Sequence, residues 1–308
     1  MGIDGIIKKE EKRKFSQKNL FSGLTFSYKC GTIIRQAQDK EVLMNILTAI
    51  NKKYMPYFAT MIRSLAANNP GEHTVYIATK EVTEEDIQGY IEQDLLPAHI
   101  RFVPVRFCDD ILKGAPTVNR WPTEVYYRIF AKDYLPETVD RVLYLDSDII
   151  VKGDISALYE SEFDGNFFVA TSNIHSKLFR RFILFKNGAN RKCVYANTGV
   201  LLMNLALLRK EQKIEDVLSY IKRRKMFISL PDQDVISTLY GRRIKILDNK
   251  IYNMSEREIK WYNRRHKEKI DEKWVEENVK IIHYLSRNKP WKEKYVGLLK
   301  PWYDQYKK

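Results

Sequence analysis

The chain has little of what marks several large protein classes. It has only three cysteines, Cys30, Cys108 and Cys193, in 308 residues. They are odd in number and widely spaced, which excludes a disulfide framework or paired thiolate metal site and favours a reducing compartment. No segment approaches the roughly 18–20 uninterrupted apolar residues that a membrane-crossing helix needs. Nor does the N-terminus read as a secretory signal: Lys8 to Lys18 is basic, but Phe21 to Lys29 is too polar for an apolar leader core. Internal repeats and low-complexity tracts are absent. The expectation is a cytoplasmic protein, at most peripheral on the inner face of a membrane.

What is present suits an ordinary globular enzyme. The hydrophobic fraction is 44% and the charged fraction 30%, too apolar a mixture for a disordered chain. The formal net charge is +14, from 53 Lys+Arg against 39 Asp+Glu. That excess is uneven. Residues 1–40 carry +5, residues 177–225 carry +10 and residues 256–308 carry +6, so the remainder is acidic at −7. Such a distribution suits nucleic acid, an anionic membrane, a phosphorylated substrate, or a merely solvated surface. No recognised nucleic-acid motif accompanies it, so nucleic acid ranks last.

Two basic stretches carry large apolar side chains, Lys177 to Lys186 and Pro290 to Tyr303. For each, two readings weigh equally. The segment dips into an anionic headgroup layer, or it packs its apolar face on the core while the cations reach outward.

The hydrophobic pattern predicts strands alternating with helices. Apolar runs at 43–48, 74–79, 100–105, 141–145, 167–170, 199–203 and 280–284 suit buried strands. Helical spacing covers 55–68, 84–94, 123–134 and 232–240. This rhythm predicts an α/β fold with a parallel sheet covered on both faces. Residues 1–40 read as a basic extension, 41–291 as the catalytic domain and 292–308 as a basic aromatic tail.

Ligands of open α/β sheets bind beyond the carboxyl ends of the strands. Asp146 and Asp148 stand at such an end, hemmed in by Val142–Leu145 and Ile149–Val151. Carboxylates so placed are expensive to bury unless paired or bound to a cation. Two of them around one residue can reach a hard divalent ion that also holds phosphates. His283, at another strand end, is a third plausible ligand for a Mn²⁺-like ion. Lys289 precedes a rigid Pro290–Trp291 pair that could hold its ammonium over a diphosphate. The ordinary alternatives are a solvated turn, a structural histidine and a surface lysine.

Four blocks in order change the balance: Tyr144-Leu-Asp-Ser-Asp148, Asn197-Thr-Gly-Val-Leu-Leu-Met-Asn204, Asp232-Gln-Asp234 and His283-Tyr-Leu-Ser-Arg-Asn-Lys-Pro-Trp291. Together they resemble the family-eight retaining glycosyltransferases, which include bacterial lipopolysaccharide galactosyl- and glucosyltransferases and, more distantly, glycogenin. The resemblance runs from about Met44 to Trp291.

It implies a single Rossmann-like nucleotide-diphospho-sugar transferase domain of the glycosyltransferase A type, with a mainly parallel central sheet and a basic C-terminal segment. By that likeness Asp146, Asp148 and His283 hold Mn²⁺ (or Mg²⁺), Ser147 lies beside the nucleotide, and Lys289 contacts the diphosphate of a UDP-sugar. Arg128 matches an arginine that touches donor phosphate or sugar. Asn197 and Gly199 line the sugar pocket, Asp232 and Gln233 lie beneath the sugar, and Tyr54 stands near the uracil. The implied reaction transfers glucose or galactose to a saccharide or lipid-linked cell-envelope acceptor, with retention at the anomeric carbon. An amide at Gln233 is a poor nucleophile, which favours front-face substitution. A catalytically silent sugar-nucleotide or polyanion binder and a self-glucosylating, glycogenin-like protein are the rival readings.

The sequence departs from the family at two places. Many relatives carry Ala-Asp-Asp-Asn-Tyr where this chain has Ile50-Asn-Lys-Lys-Tyr54. Asn51 therefore stands in for an acidic uracil contact and bonds less strongly than a carboxylate. Asn173 takes the place of an aspartate near the sugar hydroxyls. Acceptor choice is expected in the loops Arg106–Arg120 and Lys177–Lys192.

Overall fold

Short β-rich segments that are apolar at nearly every position need cover on both faces, and the central strands of this protein receive it. The structure, a computed structural model, describes residues 42–107, 109–113, 115 and 123–308. The extension at 1–40, with Cys30, lies outside the described residues, as do Cys108 and much of the Arg106–Arg120 loop. Residues Val42–Lys308 form one unit.

A seven-stranded sheet has the order β3-β2-β1-β4-β7-β6-β8. Its strands are β1 (Asn45–Ala49), β2 (Thr74–Ala78), β3 (Arg101–Val105), β4 (Arg141–Leu145), β6 (Phe168–Thr171), β7 (Asn197–Asn204) and β8 (Ile244–Ile246). β3, β2, β1 and β4 pair in parallel, β7 runs antiparallel to both β4 and β6, and β6 pairs with β8 in parallel. The sheet is thus mainly parallel, with one reversed strand. Alternate residues of each strand serve opposite cores. Val142 and Tyr144 of β4 join Tyr127, Phe130 and Val235 on one side, while Leu143 and Leu145 join Phe58, Ile62 and Leu65 on the other.

A second sheet of two strands was not foreseen as such: β5 (Ile149–Val151) pairs antiparallel with β9 (Ile281–His283). Three residues are too few to show a period, so the sequence offers no signal for this pairing. The outer edge of β5 is closed by side chains of the helix Met55–Asn68. Val151 N donates to Ser64 Oγ at 3.0 Å, and Asn68 Nδ2 donates to Val151 O at 3.0 Å. These bonds satisfy backbone groups that would otherwise be buried unpaired. They also fix the position of the residue just before β5, Asp148.

The expected helix at 123–134 is instead a 3-10 segment, Thr123–Phe130, followed by a short α-helix, Ala131–Tyr134. The stretch 290–303 packs inward. Trp291 stacks on Tyr57 at 3.8 Å between ring centroids, and Leu299, Trp302 and Tyr303 join a core with Ile150, Ile282 and Tyr284. The last helix, Lys300–Tyr306, is bonded to the helix Met55–Asn68 through Arg63 Nε to Tyr306 O at 2.7 Å. Cys193 is buried and has no disulfide partner among the described residues.

Candidate active site

The carboxyl edge of the sheet gathers the charged side chains. Asp146 leaves the end of β4, and its N–H donates to Gly199 O of β7 at 2.9 Å. Asp148 enters β5. Because Ile149 pairs with His283 across the small sheet, the histidine is delivered to the same spot. His283 Nε2 lies 3.1 Å from Asp148 Oδ1 and 3.6 Å from Asp146 Oδ2. One ligand atom from each of the three lies within 4.8 Å of the others, a set that could hold a metal ion.

The other ring nitrogen is held by a side-chain amide. His283 Nδ1 lies 2.7 Å from Asn253 Oδ1, and the Asn253 amide nitrogen donates to Thr171 Oγ1 at 2.7 Å and Asn173 Oδ1 at 3.2 Å. The Asn253 oxygen therefore accepts from Nδ1–H, which leaves Nε2 as the ring nitrogen that faces Asp146 and Asp148. Such an outer hydrogen bond orients a histidine ligand and raises its basicity. Asn253 reaches His283 because Met254 bridges to β9.

Space is kept open by Gly199. A Cβ built there would lie 2.2 Å from His283 Cε1 and 2.6 Å from Asp146 Oδ2. The sequence reading put Gly199 in the sugar pocket; the structure sets it against the Asp–Asp–His group. Asn197 supports the same turn of chain, its Oδ1 accepting from Gly199 N at 3.1 Å.

Two cations complete the cluster. Lys289 Nζ pairs with Asp148 Oδ2 and donates to Tyr284 O at 2.7 Å. Burial alone would raise the Asp148 pKa, yet His283 and Lys289 outweigh it and hold the carboxyl well below the usual range. Arg128, 6% exposed, bridges Asp146 Oδ1 at 2.9 Å and Asp232 Oδ2 at 3.0 Å. It also donates to Thr198 O at 2.9 Å and lies 3.9 Å above the Tyr144 ring. Burial opposes its charge, but Asp146, Tyr144 and Asp232 raise its pKa above the ordinary arginine value. The Asp232 pKa is pushed up by burial and pulled back by Arg128 and Thr198, with a net rise. Its carboxylate accepts from Thr198 Oγ1 at 2.5 Å.

Among the described residues, the carboxylates of Asp146, Asp148 and Asp232 thus meet the cations of Arg128 and Lys289 around the imidazole of His283. The Arg128 bridge gives a stability prediction. Arg128→Ala strands Asp146 and buried Asp232 without a counter-charge and is expected to cost about 3–5 kcal/mol, read by urea denaturation. A loss below about 1 kcal/mol would mean that the two carboxylates tolerate each other without the guanidinium.

The remaining expected residues are distributed around this centre. The Tyr54 phenol, its pKa raised by burial, lies within the fields of Lys289, Asp148 and Asp146. Ser147 sits between the two carboxylates and is half-buried. Asn51 follows β1 at the same sheet edge, and its Oδ1 is buried with no partner among the described residues. Lys52 is drawn away to Asp86 at 2.8 Å. Gln233 is half-buried and its amide bonds to no other described residue. Asp234, two residues on, is occupied structurally: it accepts from Asn187, Tyr195, Ser229 and Leu230 at 2.6–3.0 Å.

Asn253, Thr198 and Tyr144, whose hydroxyl donates to Asp146 Oδ1 at 2.9 Å, are the participants that sequence reasoning did not single out. Tyr144 stands in a quoted motif and could have been found by its spacing from Asp146. Asn253 lies 30 residues from His283 and carries no local signal.

Comparison with known proteins identifies the family. The Escherichia coli lipopolysaccharide 1,2-glucosyltransferase is 26% identical over 270 residues, covering 82% of this chain and 74% of the relative. The lipopolysaccharide 1,3-galactosyltransferase of Salmonella typhimurium is 26% identical over 254 residues, covering 80% and 72%. The crystal structure of the galactosyltransferase LgtC, solved with donor and acceptor sugar analogues, superposes with a TM-score of 0.72 at 20% identity. It covers 85% of this chain and 95% of that one, a likeness of fold. The profile described as Glycosyl transferase family 8 matches residues 45–295, most of the chain and every block around the charged cluster. This chain therefore belongs to glycosyl transferase family 8.

Proposed function

We propose that the protein is a metal-dependent retaining hexosyltransferase. It moves glucose or galactose from a UDP-sugar to a saccharide or lipid-linked acceptor of the cell envelope. One observation carries the reading: Asp146, Asp148 and His283 converge at the strand ends with a lysine and a buried arginine beside them. The names of the two lipopolysaccharide-directed relatives support the hexose and the acceptor class.

Two carboxylates and a neutral imidazole suit Mn²⁺, with Mg²⁺ as the harder substitute. When bound, the ion neutralises charge on the diphosphate as the sugar departs. The chain's own residues do the rest. Lys289 gives up part of its bond to Asp148 and meets the diphosphate. Arg128, held rigid by Asp146 and Asp232, supplies a fixed positive field at the donor, and a preorganised charge needs no reorganisation during reaction. Asp232 is committed to Arg128 and Thr198 and serves as their anchor. Gln233 faces the sugar with an unengaged amide. Tyr54 and Asn51 line the base side.

The chemical step follows from the absence of a nucleophilic side chain at Gln233. The bond from the anomeric carbon to the β-phosphate oxygen breaks as the acceptor oxygen bonds to the same face. The acceptor proton passes to the departing phosphate oxygen.

The test is UDP-sugar turnover with purified protein, screened across UDP-glucose, UDP-galactose and their N-acetyl forms with and without Mn²⁺. Metal-dependent release of UDP is expected, and Gln233→Ala should lower kcat about 10- to 100-fold with little change in KM. No turnover with any of the four donors would remove the transferase reading. A sugar adduct on the protein, seen as added mass, would replace it with self-glucosylation.

A further inference from the structure

Most large apolar side chains of the described residues are packed inside, but one helix presents its apolar face outward. The helix Lys177–Asn187 is well formed. Ser176 Oγ accepts from Phe179 N at its start, and Gly188 closes it in the left-handed conformation at φ 74°. Leu184 and Asn187 face the core. Leu178, Phe179, Phe182 and Phe185 face solvent, with Leu178 76% and Phe185 82% exposed. Positions 178, 182 and 185 follow helical spacing, so they form one stripe. A second exposed pair, Met226 and Phe227, lies beside it, because Lys186 Nζ donates to Ser229 Oγ at 2.6 Å.

Charge surrounds this apolar stripe with a single sign. Residues 177–192 and 222–229 contain ten Lys or Arg and no Asp or Glu. Contiguous exposed apolar area of this kind marks an interaction surface. The side chains project from a helix and a neighbouring loop instead of lining a groove. Two copies meeting here would set ten cations against ten, a strongly repulsive arrangement. Apolar residues ringed by Lys and Arg are the form of an interfacial helix lying on an anionic bilayer.

We infer that the helix Lys177–Asn187, with Met226 and Phe227, is a docking surface for anionic membrane lipid. Its position has a consequence for the proposed activity. Asn173, four residues before the helix, is bonded to Asn253, which holds His283. Asn187, at the other end, is bonded to Asp234, the neighbour of Gln233. Both ends of the docking helix are thus tied to elements of the candidate site. A bilayer held there would bring a lipid-linked acceptor to the donor sugar. Docking itself stands on the exposed stripe and its charge; only this consequence rests on the transferase reading.

The test is sedimentation of the full chain with vesicles of phosphatidylcholine alone and of phosphatidylcholine mixed with phosphatidylglycerol. Wild type is expected to bind the mixed vesicles, more weakly as salt rises. The double variant Phe182→Ser with Phe185→Ser, which keeps every charge, should bind about tenfold more weakly or worse. Equal binding by the variant, or no binding by wild type, would overturn the inference. A wild-type dimer in light scattering that the double variant dissolves would assign the stripe to self-association and overturn it as well. UDP-sugar hydrolysis measured in the same preparations should match between the two proteins. If hydrolysis is absent from both while lipid binding follows the expected pattern, the proposed activity fails and the docking surface stands.

Discussion

Asp148→Asn is expected to lower UDP-sugar turnover by about three orders of magnitude or more. Divalent-ion stabilisation of transition-state charge is worth several kcal/mol, and each 1.36 kcal/mol is about tenfold in rate. Asp148 is engaged through both of its oxygens. It faces His283 at 3.1 Å through one oxygen and Lys289 through the other. Asn keeps the shape and replaces the charge with a weakly liganding amide. The carboxylate it removes is held ionised at neutral pH by those same two partners, so the loss is felt across the whole working range. The backbone should survive, because β5 is fixed by β9 and by Ser64 and Asn68, none of which needs the side chain. Circular dichroism of the variant should match wild type, and calorimetric Mn²⁺ affinity should fall with activity. Wild-type turnover from Asp148→Asn would show that the metal centre is misplaced.

Gly199→Ala should damage the same centre from a position that ligates nothing. The new methyl would lie 2.2 Å from His283 Cε1 and 2.6 Å from Asp146 Oδ2. Neither neighbour has room to retreat. His283 is pinned by Asn253 at one nitrogen and by backbone pairing with Ile149. Asp146 is held by Arg128 and by the Tyr144 hydroxyl. The clash is therefore resolved by spreading the proposed ligands. Overpacking of this kind costs about 1–3 kcal/mol of stability. A misplacement of about 1 Å at a reacting centre costs about 100-fold in rate. Urea denaturation, Mn²⁺ titration and turnover together read the two effects. Wild-type metal affinity and turnover in Gly199→Ala would show that the space beside His283 is not used.

Much of the centre could be read before any coordinates. Asp146 and Asp148 are marked by apolar strands on either side, because carboxylates at a strand end need a partner. His283 is marked by the Ile281–Ile282 run before it. The two Asp-x-Asp copies look alike in sequence and part ways in the fold. Asp232 turns to Arg128, whereas Asp234 is consumed by the loop before its helix and by Asn187 and Tyr195. Nothing local separates them, since the difference lies in which elements pack against each residue. Asn253 was invisible for the same reason: its contact with His283 is created by the bridge between Met254 and β9.

The two basic, apolar stretches sharpen the contrast. Lys177–Lys186 and Pro290–Tyr303 have the same character in sequence and admitted the same two readings. The second turns Trp302 and Tyr303 into a core and stacks Trp291 on Tyr57. The first leaves Phe182 and Phe185 in solvent. Amphipathic spacing says that a helix has an apolar face and not what covers it.

By itself the sequence determined the α/β class, the strands of the main sheet other than β8, the family-eight motifs and the carboxylates at a strand end. Those are short-range properties: hydrophobic runs, turns and residue spacing act within a few positions of one another. Only the tertiary structure decided the reversed strand β7, the small β5–β9 sheet, the orientation of His283 and the outward face of Lys177–Asn187. Each of those depends on pairing between segments far apart in the chain, where backbone hydrogen bonds and packing select one arrangement and local pattern leaves several open.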